Sequence, residues 1–282
     1  MAGVFSFLGG LFGGRPPAVA APTERVQAIL DRIHAQGRPC LHLVPGGEGR
    51  TRLGGEADAS GDWPRFRDRP MACLARIDLG EVRATGGPDW LPGEGRLQVF
   101  LDMGDRPQDF EPEQPGACVV RWETGPERPA SAPDDLRPRS RIAAFPLKPT
   151  PRMSYADERI EIDWRVLTRD ENRTLEAAVL DMLSPEPAHQ IGGYPGNLQG
   201  DDMEVQCAAA AAGTGDVRTF DPDALTEATI EAAKDWRLLL QVDSDPAAGL
   251  DWMQRGRVFV WVHEAAARRG DFGQVFAFVQ FV

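Results

Sequence analysis

The sequence predicts an internally duplicated α+β fold, with two halves related by a pseudo-twofold axis, a largely antiparallel sheet and a few helices. The main observation is a repeated order of motifs: a double glycine, an apolar strand closed by aspartate, and a Gly-Arg turn before a second strand. The second observation is that other segments, outside these motifs, have apolar residues at helical spacing, which predicts helices in addition to the strands. Such self-similarity is typical of a fold built from two copies of one unit.

Three short motifs define each copy of the repeat. They are Leu53-Gly54-Gly55, Leu74–Asp78 and Gly95–Phe100 in the first copy, and Ile191-Gly192-Gly193, Leu239–Asp243 and Gly256–Trp261 in the second. Their Val, Ile, Phe and Trp residues favour strands with a buried face. Glycine before Arg96 and Arg257 predicts a tight turn with positive φ. Asp78 and Asp243 are placed to accept backbone hydrogen bonds where each strand ends.

Three helices are predicted around these strands. The first is capped by Thr23 and ends near Gly37, with an apolar stripe along one face. The second covers residues 170–183. The third has Asp221 as its cap, a proline at its first helical position, and an end near Lys234. A short strand at residues 40–44 follows the first helix.

The chain is predicted to contain one domain and a tail. Residues 23–282 form the domain, whose halves cover about residues 23–145 and 150–282, and residues 1–22 form a flexible tail. One helical face of the tail is apolar and consists of Val4, Phe7, Leu8, Leu11 and Phe12. Two interpretations stay open: weak contact with a membrane surface or a partner, and an end without a role.

The charge of the chain restricts its partners. The net charge is −12, and a surface of this sign repels phosphate backbones, so nucleic-acid binding is not expected. A basic protein partner fits the charge, and a merely solubilising surface is the alternative. No apolar run approaches the roughly 20 residues of a membrane span, and a cytoplasmic location is expected. The four cysteines are far apart and are predicted to be buried free thiols.

Motifs of known chemistry are absent from the sequence. The only two lysines, Lys148 and Lys234, are not in a phosphate-binding loop. The four histidines have no zinc-ligand spacing, and no serine lies in a G-x-S-x-G turn. We therefore predict no catalytic residue, no metal and no cofactor.

One segment combines glycines with polar side chains and is the candidate binding site. Together with the second-copy strand, the candidate residues are His189, Gly192, Gly193, Tyr194, Gln199, Asp201, Gln241 and Asp243. As a binding loop, the segment would bring backbone amides close to a ligand, with the histidine as an orienting or proton-transferring group. The alternative is that Gly-Gly-Tyr-Pro forms a turn and that His189 is a packing histidine.

The same motifs resemble the YwqG-like family, a bacterial family without an established activity. The resemblance covers most of residues 50–282. It rests on Leu53-Gly54-Gly55, Trp63-Pro64, Pro70–Leu79, His189–Pro195, Gln199–Asp201, Trp236–Asp243 and the strand after Gly256. This chain has Arg76 where the family usually has glutamine and Ala57 where it has proline. The resemblance implies a duplicated fold in a cytoplasmic bacterial protein and supplies no catalytic residues.

These observations favour a non-enzymatic binding or interaction module with an acidic surface. The alternative is an enzyme or small-ligand receptor with a cleft between the two halves. In that alternative the cleft is lined by His189, Gln199, Asp201, Gln241 and Asp243.

Overall fold

The computed structural model describes most of the chain after the tail. The described residues are 21–58, 61–104, 113–156, 162–182, 186–200, 202–215, 221, 225–253 and 255–282. The apolar face predicted in the tail lies outside them, and so do the candidate residue Asp201 and the proline after Asp221.

Six α-helices and fourteen strands form within the described ranges. The helices are α1 (Glu24–Ala35), α2 (Leu79–Ala84), α3 (Arg169–Met182), α4 (Met203–Ala211), α5 (Glu227–Ala233) and α6 (Glu264–Arg268). The strands are β1 (Arg38–Pro45), β2 (Arg52–Leu53), β3 (Ala57–Asp58), β4 (Arg65–Phe66), β5 (Arg69–Pro70), β6 (Ala72–Asp78), β7 (Arg96–Leu101), β8 (Cys118–Glu123), β9 (Pro129–Ala130), β10 (Phe145–Ser154), β11 (Gln190–Ile191), β12 (Trp236–Asp243), β13 (Arg257–His263) and β14 (Val275–Gln280).

Ten of these strands form one antiparallel sheet. Its order is β14-β13-β12-β11-β1-β10-β2-β6-β7-β8. The sheet curls until its two edge strands, β14 and β8, pack against each other. The backbone N–H of Val279 on β14 donates to the Glu113 carboxylate ahead of β8, over 2.9 Å. The predicted combination of helices with an antiparallel sheet is therefore confirmed, and the sheet is nearly closed.

Two stretches of this sheet have the same strand order and register. In β2-β6-β7-β8 and in β11-β12-β13-β14, a two-residue strand followed by two glycines lies beside three longer strands. Asp78 of β6 pairs with Arg96 of β7, as Asp243 of β12 pairs with Arg257 of β13. In both pairs of long strands the register shifts around the leucine that opens the repeated strand motif. The two central strands β1 and β10, from distant parts of the sequence, pair with each other and join the two stretches.

One hydrophobic core extends across both stretches of the sheet. It contains Leu74 and Leu97 from one stretch and Leu239 and Val260 from the other, together with Leu41 of the central strand β1. Smaller clusters attach the helices. α1 and α3 pack against each other, and α4 and the end of α5 pack on the tryptophan-rich outer face of β12 and β13.

The first two predicted helices are confirmed. Thr23 caps α1, since its hydroxyl accepts a hydrogen bond from Val26 N–H over 3.3 Å, and the apolar stripe of α1 is buried. α3 begins at Arg169 and buries Leu175 and Val179. The four cysteines are buried free thiols, as predicted.

Two local predictions are wrong. The third helix begins at Glu227 and is capped by the hydroxyl of Thr226, not by Asp221. Positive φ is predicted for both Gly-Arg turns but occurs in only one of them. Gly95 has a φ of 84°, whereas Gly256 does not have a positive φ. Gly256 is needed for a different reason: a Cβ there would lie 2.1 Å from the backbone oxygen of Trp252.

Candidate functional site

Three of the predicted site residues, His189, Gln241 and Asp243, meet in the interior of the domain. His189 lies just before β11, a strand that pairs with β12, and Gln190 of β11 lies directly opposite Gln241. The imidazole of His189 is fully buried. Its Nδ1 accepts the backbone N–H of Asp243 over 3.0 Å, which leaves the proton on Nε2, 3.3 Å from the Asp245 carboxylate.

Asp243 holds the start of the candidate loop in place. One carboxylate oxygen accepts the backbone N–H of Ala188 over 2.7 Å, and the other accepts the N–H of Ser244 over 3.0 Å. Arg257 Nε lies 3.1 Å from this second oxygen as an ion pair, although its N–H is not aligned for a hydrogen bond. Both side chains are largely buried, and the other carboxylate near Arg257, that of Glu186 at 3.5 Å, belongs to an exposed side chain, so Asp243 is the main compensation for the arginine charge.

Three buried glutamines fasten the rest of the loop. Gln241 donates to Ala188 O over 2.6 Å and accepts from Gly196 N–H over 2.8 Å. Gln190 donates to the carbonyls of Gly192 and Tyr194, at 3.0 and 2.7 Å. Gln280 on β14 accepts the N–H groups of residues 198 and 199 and donates to the carbonyl of residue 200. Of these three glutamines, only Gln241 is among the predicted site residues. A polar side chain at a buried strand position is the signal that could have identified the other two, because buried polar groups are normally hydrogen-bonded.

The remaining described candidates range from the buried Gly192 to the exposed Gln199. Gly192 and Gly193 both have positive φ, of 70° and 75°, as a tight double-glycine turn requires. Tyr194 is partly buried, and the guanidinium of Arg38 lies over its ring, 4.1 Å from the centroid. Gln199 is exposed, and its backbone N–H donates to the side-chain oxygen of Gln280 over 3.2 Å.

The polar groups of this segment therefore serve mainly to hold the loop. His189, Gln241 and Asp243 direct their hydrogen bonds to the protein's own backbone and to Asp245. A ligand cannot reach the fully buried His189 unless the loop opens. The structural interpretation of this histidine fits its geometry better than a catalytic role.

A cleft lies beside the loop, where the two stretches of the sheet meet. Its volume is about 390 Å³. Its walls come from the start of β1, the turn after α2, the double glycine and the start of β12, and its lining residues include Arg38, Pro39, Cys40, Pro88, Asp89, Trp90, Gly193, Arg237 and Leu238. Among the described residues, Gly193 is the one predicted site residue on this wall. The other lining residues are dispersed along the chain, so no motif in the sequence groups them.

The thiol at the cleft is not a ready nucleophile. Burial raises the pKa of the Cys40 thiol to about 11. Because the thiolate is the reactive form, this thiol is unreactive near neutral pH. Among the described residues, no group of three or more His, Cys, Asp or Glu side chains is arranged to hold a metal ion.

A second buried polar cluster, in the β2-β6-β7-β8 stretch of the sheet, is not predicted from the sequence. Arg96, at the start of β7, pairs with Asp58 in the buried interior and donates to the carbonyl of Gly125 over 2.8 Å. Gln98 on the same strand accepts the N–H of Asp58 over 2.6 Å. Arg96 thus holds the segment after the first double glycine, as Arg257 holds the segment after the second through Gly196 O at 2.8 Å.

The comparisons with known proteins identify the family. The family model described as a domain of unknown function, DUF1963, matches residues 51–280. The chain therefore belongs to the DUF1963 family. No curated protein matches the sequence significantly. The narrower resemblance to YwqG-like proteins, and the bacterial and cytoplasmic origin that it implies, stay predictions. Nowhere in the described ranges is a helix both long and apolar enough to traverse a membrane.

Acid is expected to weaken the fold through His189. Burial lowers the pKa of His189 from its ordinary value of 6.5, and burial also lowers the pKa of His42. As the pH falls below 6.5, the unfolded chain takes up protons that the folded chain does not, so the stabilisation is present above 6.5 and is lost on acidification. We expect the free energy of urea unfolding to fall as the pH is lowered below 6.5, and to fall less in His189→Gln.

The matched control is His34→Gln, which replaces an exposed histidine on α1. This variant should keep the pH dependence of the wild type. An unchanged pH dependence in His189→Gln would show that the buried imidazole is not the responsible group.

Proposed function

We propose that this domain is a binding module without a catalytic centre of its own, and that it holds a small ligand in the cleft beside the double-glycine turn. The observation that carries the proposal is the position of the cleft. It is open between segments of both sheet stretches, while the adjacent polar loop is fastened by internal hydrogen bonds. Rigid walls of this kind suit binding, because little order has to be created when a ligand enters.

We also propose that the two sheet stretches are copies of one ancestral unit. Their shared strand order, aspartate-arginine pairing and register shift support this. The pockets support it too: Gly193 and Leu238 line the cleft, and their counterparts Gly55 and Cys73 line a smaller pocket of about 280 Å³ in the first copy. Asp78 and Asp243 differ in their side-chain contacts, which is consistent with divergence of the copies after duplication.

A basic protein partner stays a prediction from the net charge of −12. The salt dependence of binding distinguishes such a partner from a ligand in the cleft, because binding through dispersed surface charge weakens steeply with salt. Titration with a basic peptide such as poly-lysine at low and high salt measures this contribution.

The cleft hypothesis is tested by blocking the cleft. Pro39 is exposed and lies on the cleft wall, so Pro39→Trp places a large ring at the opening. Pro151, an exposed proline on the neighbouring strand β10, is absent from that wall and provides the control Pro151→Trp. The thermal midpoint of each protein is measured with panels of small carboxylates, phosphate esters, neutral sugars and amines.

At least one chemical class should raise the midpoint of the wild type and of Pro151→Trp, because a ligand that binds only the folded state stabilises it. Pro39→Trp should not respond to that class. The proposal fails if no class has an effect, or if Pro39→Trp responds as the wild type does.

A further inference from the structure

We propose that the cleft binds a small organic oxyanion, a carboxylate or phosphate ester attached to an apolar or aromatic body. The proposal rests on the cleft function proposed above and adds the chemical class of the ligand. The charges around the cleft, the position of Arg38 and the indole ring of Trp90 support it.

Arg38 supplies the uncompensated charge of the cleft. Its side chain is exposed on the cleft wall, and its guanidinium lies over the Tyr194 ring, 4.1 Å from the centroid. Within the ranges that the structure describes, this guanidinium makes no ion pair and no hydrogen bond. Stacking on an aromatic ring orients the planar group while its N–H donors stay available for a carboxylate or phosphate.

The other charged side chains of the cleft are neutralised by neighbours. Arg237 pairs with Glu264 over 2.7 Å. Asp89 pairs with Arg268 over 3.3 Å. The uncompensated charge on the wall is thus the positive charge of Arg38, which favours an anion and disfavours an amine.

Trp90 and its neighbours provide a surface for the body of the ligand. Trp90 lines the cleft and is 8% exposed. Its indole N–H has no hydrogen-bond partner in the described part of the chain. Pro88, Pro39 and Leu238 complete an apolar wall. An aromatic ring beside one fixed cation matches a ligand with an apolar body and one anionic group.

The experiment uses four probes that differ only in the group attached to a benzene ring: benzoate, phenyl phosphate, benzamide and benzylamine. Binding to the full chain is followed by calorimetry and by ¹⁹F spectra of protein labelled with fluorotryptophan, with the Trp90 signal assigned from Trp90→Phe. We expect benzoate or phenyl phosphate to bind and to shift the Trp90 signal. Benzamide and benzylamine should bind at least tenfold more weakly.

Arg38→Gln should weaken binding of the anion about 10- to 100-fold, the usual loss for charge-assisted hydrogen bonds. Arg32→Gln, which replaces an exposed arginine on α1, should leave it unchanged. Tyr194→Phe keeps the stacking ring and should bind the anion as the wild type does. Tyr194→Leu removes the ring and should bind the anion several-fold more weakly. Equal loss in both tyrosine variants would contradict the stacking role of the ring.

The outcomes separate this inference from the function on which it rests. If benzamide or benzylamine binds as well as the anions, and Pro39→Trp blocks that binding, the cleft binds ligands but the assignment of an oxyanion is overturned. If anions bind with equal affinity to the wild type and to Arg38→Gln, the assignment is also overturned. If none of the four probes binds, and the wider panel has no effect on the thermal midpoint, both proposals fail together.

Discussion

Asp243→Ala is expected to lower the free energy of unfolding by about 3–5 kcal/mol, the usual cost of removing one partner of a buried ion pair. The substitution leaves the largely buried Arg257 without its closest carboxylate. It also removes the acceptor for the N–H groups of Ala188 and Ser244. Urea denaturation followed by far-ultraviolet circular dichroism measures the change.

Asp78→Ala is the control that the fold itself supplies. Asp78 occupies the matching register position in the β2-β6-β7-β8 stretch, but its carboxylate accepts the Glu81 N–H at the start of α2. Loss of such a helix cap costs about 1 kcal/mol. Equal costs for the two aspartates would contradict the conclusion that the ion pair of Asp243 is the critical interaction.

Gly193→Ala is expected to destabilise the protein by about 2–5 kcal/mol, from unfavourable φ together with overpacking. Gly193 has a φ of 75°. A Cβ at this position would lie 2.2 Å from the Ser154 hydroxyl oxygen and 2.7 Å from the Cβ of Cys40. Because the residue is on the cleft wall, we also expect weaker ligand binding. Chemical denaturation gives the first quantity, and calorimetry with the anionic probes gives the second.

Gly213→Ala separates the two causes. Gly213 has a similar φ of 69°, and no atom lies within 4 Å of the position that its Cβ would take. This variant should therefore show only the backbone strain, about 1–2 kcal/mol. If Gly193→Ala costs no more than this control, the close packing of the turn against β1 and β10 is not significant.

Local sequence signals predicted the elements whose stabilisation is local. Thr23 caps α1 and the apolar spacing of α3 defines a buried face, so both helices were found. The third helix was misplaced because two capping residues, Asp221 and Thr226, compete in the sequence. The observed helix begins after Thr226, and it packs against α4, a helix that is not among the predicted ones.

The candidate site was predicted less well, for a physical reason. A segment rich in glycine and polar residues has the same composition whether it binds a ligand or is fastened by its own protein. Burial distinguishes the two cases, and the burial of His189 depends on strands that are distant in sequence. The cleft residues Arg38, Trp90 and Arg237 come from three separate segments, so sequence spacing does not bring them together.

The central position of β1 has a consequence for how the chain folds during synthesis. This strand is made early, yet both of its sheet neighbours, β10 and β11, come from much later in the chain. On the ribosome, its hydrogen-bonding edges therefore stay unsatisfied until β10 and then β11 have emerged. Pairing of such distant segments is intrinsically slow and leaves an apolar strand exposed to aggregation in the meantime.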